Sequence, residues 1–178
     1  MGAGKTSVGR ALGQRLNWIF EDLDDRIERR EGRTIAEIFR ESGEPAFREA
    51  ENLALRQVLE ERQSGATGIV ALGGGAFVQP RNASMLEAAG VPIVFLDAPV
   101  EELWQRCQTQ AGGAGIERPL LRDKEQFCRL YEARRKHYLR AALRIETGGC
   151  TVEAVADEIA GKLGLKKIMT RNQQGESE

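Results

Sequence analysis

The chain opens with M-G-A-G-K-T-S, a run holding the residue types that wrap a phosphate. Gly2 and Gly4 leave backbone N–H groups free to face an anion, with Ala3 between them and Ser7 behind. Lys5 can reach terminal phosphate oxygens, and the Thr6 hydroxyl can hold a magnesium ion. The helix expected next turns its positive end toward the same anion. In the full pattern another glycine stands three residues before Gly2, so that glycine and the strand feeding the loop fall upstream of Met1.

Further along, Asp22 and Asp24 stand i, i+2 at the expected end of a strand, which points both carboxylates toward one face. Two such acids beside a nucleotide can divide the work, one organising magnesium and its waters, the other accepting a proton. Arg48 lies three residues before Glu51 on an expected helix, and a guanidinium fork suits a planar carboxylate. As a bare helix pair, the two read more readily as a surface salt bridge. Gly73, Gly74 and Gly75 follow an apolar strand, and three bare backbones let a ligand approach closely. Arg118 closes a glycine-rich segment, a placement suited to a mobile lid bringing positive charge onto a transferring phosphoryl group.

These residues need a frame, and the pattern around them supplies one. Val8, Leu12 and Leu16 repeat every four positions after Lys5, as a helix face does. N-W-I-F-E-D-L-D-D reads as a strand running into acids. Thr34 and Glu37 form a capping box for a short helix through Phe39, and a longer helix follows from Pro45 to Gln63. G-I-V-A-L-G and V-P-I-V-F-L-D-A-P are apolar strands, separated by a helix that Gly90 stops. V-E-E-L-W-Q-R-C-Q is helical, T-Q-A-G-G-A-G-I-E-R-P-L-L is a glycine-rich stretch, and Asp123 caps a helix through about Ala142. L-R-I-E-T is a last strand and Thr151 caps a final helix. Alternating strands and helices imply an α/β domain over residues 1–165 with a mostly parallel sheet, followed by a polar, disordered tail over 166–178.

Composition excludes several classes. A net charge of -1 gives no electrostatic footprint for nucleic acid or a membrane surface. A single histidine, His137, leaves no room for a multi-histidine metal site. Cys107, Cys128 and Cys150 are odd in number and widely spaced, which fits reduced thiols in a cytoplasmic protein. No apolar run reaches the roughly 18 residues of a membrane span.

From F-E-D-L-D-D-R-I-E-R-R-E-G-R-T-I-A-E-I-F-R-E-S-G-E-P-A-F-R-E-A-E onward, through L-G-G-G-A-F, E-R-P-L-L and R-R-K-H-Y, the chain resembles shikimate kinases. These are phosphate-loop enzymes of the nucleoside-monophosphate-kinase-like group. The resemblance covers residues 1 to about 163 and implies a three-layer α/β/α fold with a parallel sheet ordered 2-3-1-4-5. It implies transfer of the ATP γ-phosphoryl group to the 3-hydroxyl of shikimate, with Mg2+, on the route to chorismate and aromatic amino acids. Asp24 would activate that hydroxyl, and Asp22 would bind magnesium through water. Arg48, Glu51 and Gly73–Gly75 would bind shikimate, and Arg106 would pack on the adenine. Arg134, four residues before Tyr138, would clamp the shikimate carboxylate, although Lys136 stands where the family commonly has proline and Arg135 is adjacent. The segment between Arg106 and Arg118 is longer than in compact members. An exposed, solvated Arg106 is an equally consistent reading of its helix position.

Size and family imply a monomer. Because the family's first strand is central, its absence implies a gap between the G-I-V-A-L-G and P-I-V-F-L-D strands, and a start site placed too late is the leading explanation. A related sugar-acid kinase and a nucleotide binder without turnover are the competing readings; the acids and arginines present argue against both.

Overall fold

The protein is seen in a computed structural model that describes residues 2–65, 67–114 and 123–167. Helix α1 (Lys5–Leu16) leads to strand β1 (Ile19–Asp22), α2 (Leu23–Glu31) and the long α3 (Ile35–Gln63). Strand β2 (Gly68–Ala71), a short 3-10 turn (Ala76–Val78) and α4 (Pro80–Ala88) follow. The C-terminal part runs β3 (Val94–Asp97), α5 (Val100–Ala114), α6 (Lys124–Tyr138), β4 (Leu143–Glu146) and α7 (Val152–Lys162).

Local chemistry accounts for most boundaries. Val8, Leu12 and Leu16 are buried as their spacing requires. Gly9 is there for contact, since a Cβ at that position would run into the Phe20 ring of β1. The Thr34 hydroxyl and the Glu37 carboxylate exchange both hydrogen bonds of a capping box at the start of α3. Gly43, at φ 78°, kinks that helix just before Pro45, so the two helical stretches expected from sequence lie end to end.

Two expectations change. The acids of Leu23–Asp25 do not extend the strand; Asp22 ends β1 and caps α2, which the sequence reading missed. Helix α5 also runs on to Ala114 through the first part of the glycine-rich stretch, because no proline or cap intervenes before Gly112. Arg118 and the tail from Ile168 onward lie outside the described residues.

The sheet is in two halves. β1 pairs in parallel with β2, from Ile19 opposite Gly68 to Asp22 opposite Ala71. β3 pairs in parallel with β4, from Val94 opposite Leu143 to Asp97 opposite Glu146. Among the described residues β2 and β3 have no partner on their other edges. A cavity of about 500 Å3 lies where such a partner would run, lined by Val8, Leu12, Ile69, Val70, Val94 and Leu96 among others. This is the family order without its middle strand, and the gap falls where the sequence places it.

Packing follows the two halves. One core joins α2, α3 and α4 through Leu23, Ile27, Leu55, Val58 and Leu86. A second joins α1 to β3, β4 and α7 through Leu12, Leu16, Ile145 and Val155. A third, smaller cluster holds α5 to α6 through Leu103, Cys107, Phe127 and Tyr131. None of the described helices is long and apolar enough to cross a membrane.

Candidate active site

The phosphate loop and the acids meet at the ends of α1 and β1. Gly2 and Gly4 both take positive φ, 64° and 78°, which bends the loop so that α1 begins at Lys5. The Thr6 hydroxyl donates to Asp22 Oδ2 at 2.9 Å. The other Asp22 oxygen accepts the Asp24 backbone N–H at 3.1 Å, closing the N-cap of α2. Asp22 and Asp24 are thus brought together by a helix cap rather than by strand alternation.

Asp24 sits in the first turn of α2, half-buried. Burial, and after it the Asp22 charge, push its carboxyl above the usual aspartate range, while Lys5 pulls the other way. A base poised in this manner can hold a proton taken from an alcohol. The hydroxyl of Thr6 and the carboxylate of Asp22 offer hard oxygen donors on one side only. Among the described residues no group of three or more His, Cys, Asp or Glu could encage a metal. Few protein ligands, the rest being water and phosphate oxygens, is the arrangement that suits magnesium.

The side expected to take the acceptor is built on the glycine turn after β2. A Cβ at Gly73 would lie 2.7 Å from Asp24 Oδ1, and one at Gly75 would lie 2.7 Å from Arg48 Nη1. The turn therefore packs its bare backbone directly on the proposed base and on the guanidinium. Arg48 Nη1 donates to both oxygens of Glu51, at 3.2 and 3.1 Å, and its outer edge reaches Glu44. Its guanidinium also lies over the Phe47 ring, 5.0 Å from the centroid.

Glu51 is 1% exposed, so it meets the site through Arg48 rather than at the surface. Burial raises the Glu51 carboxyl, and Arg48 opposes the rise. Beneath it, Asn82 Nδ2 donates to the Ala76 carbonyl at 3.1 Å and approaches Glu51 Oε2 at 3.4 Å, while Asn52 donates to Asn82 Oδ1 at 2.8 Å. This buried amide pair ties α3 to the segment after the glycine turn. Sequence reasoning missed it; the available signal was two asparagines at positions otherwise occupied by the apolar faces of α3 and α4.

Helix α6 closes the acceptor side. Tyr138 donates its hydroxyl proton to the Gly74 carbonyl, and Arg134, one turn earlier, shares a hydrogen bond with Tyr138 and faces the charge of Glu51. Arg135 points elsewhere, donating to Asp97 Oδ2 at 3.1 Å. Of the two adjacent arginines, Arg134 is the one beside the glycine turn.

On α5, Arg106 is half-buried and held by Glu102 and by the Thr147 carbonyl at 3.1 Å, so it is not a freely solvated helix residue. Lys5, Thr6, Asp22, Asp24, Arg48, Gly73–Gly75 and Arg134 are thus brought to one end of the strands. Ser7 is exposed beside them, and Ala3 turns toward the cavity. The cysteines are unpaired, with Cys107 buried and Cys150 exposed.

Comparison with known proteins agrees with this arrangement. The family described as shikimate kinase matches residues 1–164. A shikimate kinase of Cereibacter sphaeroides is 42% identical over 169 residues, covering 93% of this chain and 80% of the relative. One of Geobacter metallireducens is 42% identical over 166 residues, covering 92% and 87%. The solved structure of the Acinetobacter baumannii shikimate kinase in complex with shikimate superposes with a TM-score of 0.79 at 32% identity, over 92% of this chain and 88% of that one. The Aquifex aeolicus enzyme gives 0.78 at 32% identity, over 92% of each. With a phosphate loop, a capped pair of acids and a glycine turn seated on an arginine, matched along nearly its whole length, the chain belongs to the shikimate kinase family.

Proposed function

We propose that the chain transfers the γ-phosphoryl group of ATP to the 3-hydroxyl of shikimate, releasing ADP and shikimate 3-phosphate. The observation that carries this reading is the seating of the Gly73–Gly75 turn on Asp24 and Arg48, which supports a base and a carboxylate clamp beside one stretch of bare backbone.

Phosphoryl transfer asks a protein for positioning and charge stabilisation more than for covalent chemistry. Arg48, held in place by Glu51, and Arg134 orient the shikimate carboxylate. Asp24 accepts the proton of the attacking hydroxyl as the oxygen–phosphorus bond forms, and the γ-phosphoryl group leaves ADP. Lys5 and the N–H groups of Gly2–Ser7 hold the phosphates, and Arg106 borders the base. Thr6 and Asp22 would hold magnesium, which would supply charge neutralisation on the phosphates. Arg118 retains the lid role expected from its sequence position. Unpaired thiols support a reducing cytoplasmic setting, and a monomer remains the simplest working state.

ADP release from Mg-ATP, with and without shikimate, tests the reading. Shikimate-dependent turnover that Asp24→Asn lowers by about 10²–10⁴-fold is the expected result. Nucleotide binding with no shikimate-dependent release would favour a binder without turnover.

A further inference from the structure

Asp97 is a buried carboxylate that no step above uses. It ends β3, is 3% exposed, and is engaged on both oxygens. Oδ1 accepts the Tyr131 hydroxyl at 2.6 Å. Oδ2 accepts Arg135 Nη2 at 3.1 Å and Arg144 Nε at 2.9 Å. Its backbone carbonyl takes both the N–H of Thr147, at 2.7 Å, and the Thr147 hydroxyl, at 3.0 Å. Burial alone would raise its carboxyl, but Tyr131, Arg135 and Arg144 together hold it below the usual aspartate range, so it stays charged.

The partners are arranged by helical periodicity. Tyr131 and Arg135 are four apart on α6 and form one stripe, which faces Asp97. Arg134 and Tyr138 are also four apart and form the neighbouring stripe, about 60° round the helix, which faces Glu51 and the glycine turn. A rotation of α6 by one residue would exchange Arg134 for Arg135 in the acceptor pocket. Phe127, Tyr131 and Tyr138 pack α6 against its neighbours, and the hydrogen bonds from Tyr131 and Arg135 to one buried carboxylate add a directional anchor that sets the finer roll on which the aim of Arg134 depends.

We propose that Asp97 is a positioning residue for the acceptor: by gripping Tyr131 and Arg135 it sets the roll of α6, so that Arg134 and not Arg135 meets the shikimate carboxylate. The inference rests on the proposed role of Arg134 and is tested alongside it.

Steady-state kinetics of Asp97→Asn in the full chain should show shikimate KM raised about tenfold, with kcat and the KM for ATP changed far less. Tyr131→Phe, which keeps the ring and removes one bond, should give a smaller change in the same direction and serves alone if Asp97→Asn does not fold. The separating experiment is a double-mutant cycle with Arg134→Lys. If Asp97 acts through Arg134, Asp97→Asn adds little in the Arg134→Lys background. Equal effects in both backgrounds, or an unchanged shikimate KM in Asp97→Asn and Tyr131→Phe, overturns the proposal and leaves Asp97 a plain staple between sheet and helix. If Arg134→Lys by itself leaves the shikimate KM unchanged, the clamp role of Arg134 falls first and this inference falls with it.

Discussion

The acceptor end of the site and the middle of the sheet are built to different standards. Around the glycine turn and the end of β3 polar side chains are paired specifically: Arg48 on Glu51 and Glu44, Tyr138 on Gly74, Arg135 and Arg144 on Asp97. Between β2 and β3, some of the same residues that feed the site line an apolar cavity of about 500 Å3, with two strand edges unpaired among the described residues. One region is held by specific hydrogen bonds and the other only by its walls. The contrast separates two kinds of failure: damage at the acceptor end should show in substrate handling and local charge, damage or repair at the cavity in global stability.

The largest effect is expected where a buried charge loses its partner. Arg48→Met strands Glu51, 1% exposed, and should cost about 3–5 kcal/mol of unfolding free energy in urea titrations at neutral pH. The shikimate KM should rise as well. Because burial already holds the Glu51 carboxyl above its ordinary 4.5, the protein binds more protons there folded than unfolded. The deficit should therefore shrink as pH falls through the folded-state value. Adding Glu51→Gln should recover stability and leave the KM defect. A double variant as unstable as Arg48→Met would show that the pair matters for packing rather than charge.

A fusion of about five β-branched residues ahead of Gly2 probes the other region. Such a strand can pair with the free edges of β2 and β3 and fill the cavity. Each apolar side chain buried is worth about 1.5–3 kcal/mol and each ladder bond about 1, against about 1–2 per residue for ordering the backbone. A net gain of about 4 kcal/mol should appear as a higher unfolding midpoint, and ATP binding should tighten because the loop gains a fixed entry. The same fusion with alternating aspartates should gain nothing. If both fusions behave alike, the two strand edges are not open to a partner.

How much of this was legible depended on whether the signal was local. The helix face of α1, the capping box at Thr34 and Glu37 and the N-caps at Asp123 and Thr151 are short-range patterns, and the structure reproduces them. The gap beside β2 followed from the family's strand order and is present. Asp22 and Asp24 lie together for a different reason from the one expected: a side-chain cap two residues back is as available to Asp as strand alternation, and the acid-rich start of α2 tipped the balance. The sequence reading chose Arg134 over Arg135 only through its spacing to Tyr138; the contact that draws Arg135 away, to Asp97 some 38 positions earlier, is not visible in the chain. Asn52 and Asn82 were invisible for the same reason; each is an ordinary polar residue until the other is placed beside it.

The smallest effect on folding should come from Asp22→Asn, which also weakens the proposed magnesium site and lowers turnover, and its residual activity bears on how the acceptor end is tuned. Asparagine keeps an oxygen for the Asp24 N–H, so the cap on α2 should survive. What it removes is the charge that, after burial, does most to raise the Asp24 carboxyl. Asp24 must be ionised to take a proton, so kcat/KM should fall on the acid side as pH drops through its raised value. Stability should move the opposite way: with the folded value above the ordinary 3.8, keeping Asp24 charged costs folding energy at neutral pH, and that cost disappears as pH falls through the same range. In Asp22→Asn the acid limb of the residual activity should slide toward lower pH but not return to the ordinary value, since burial remains. A limb that stays in place would show that the charge of Asp22 does not reach Asp24 in the working complex, and that burial against the glycine turn alone sets the base.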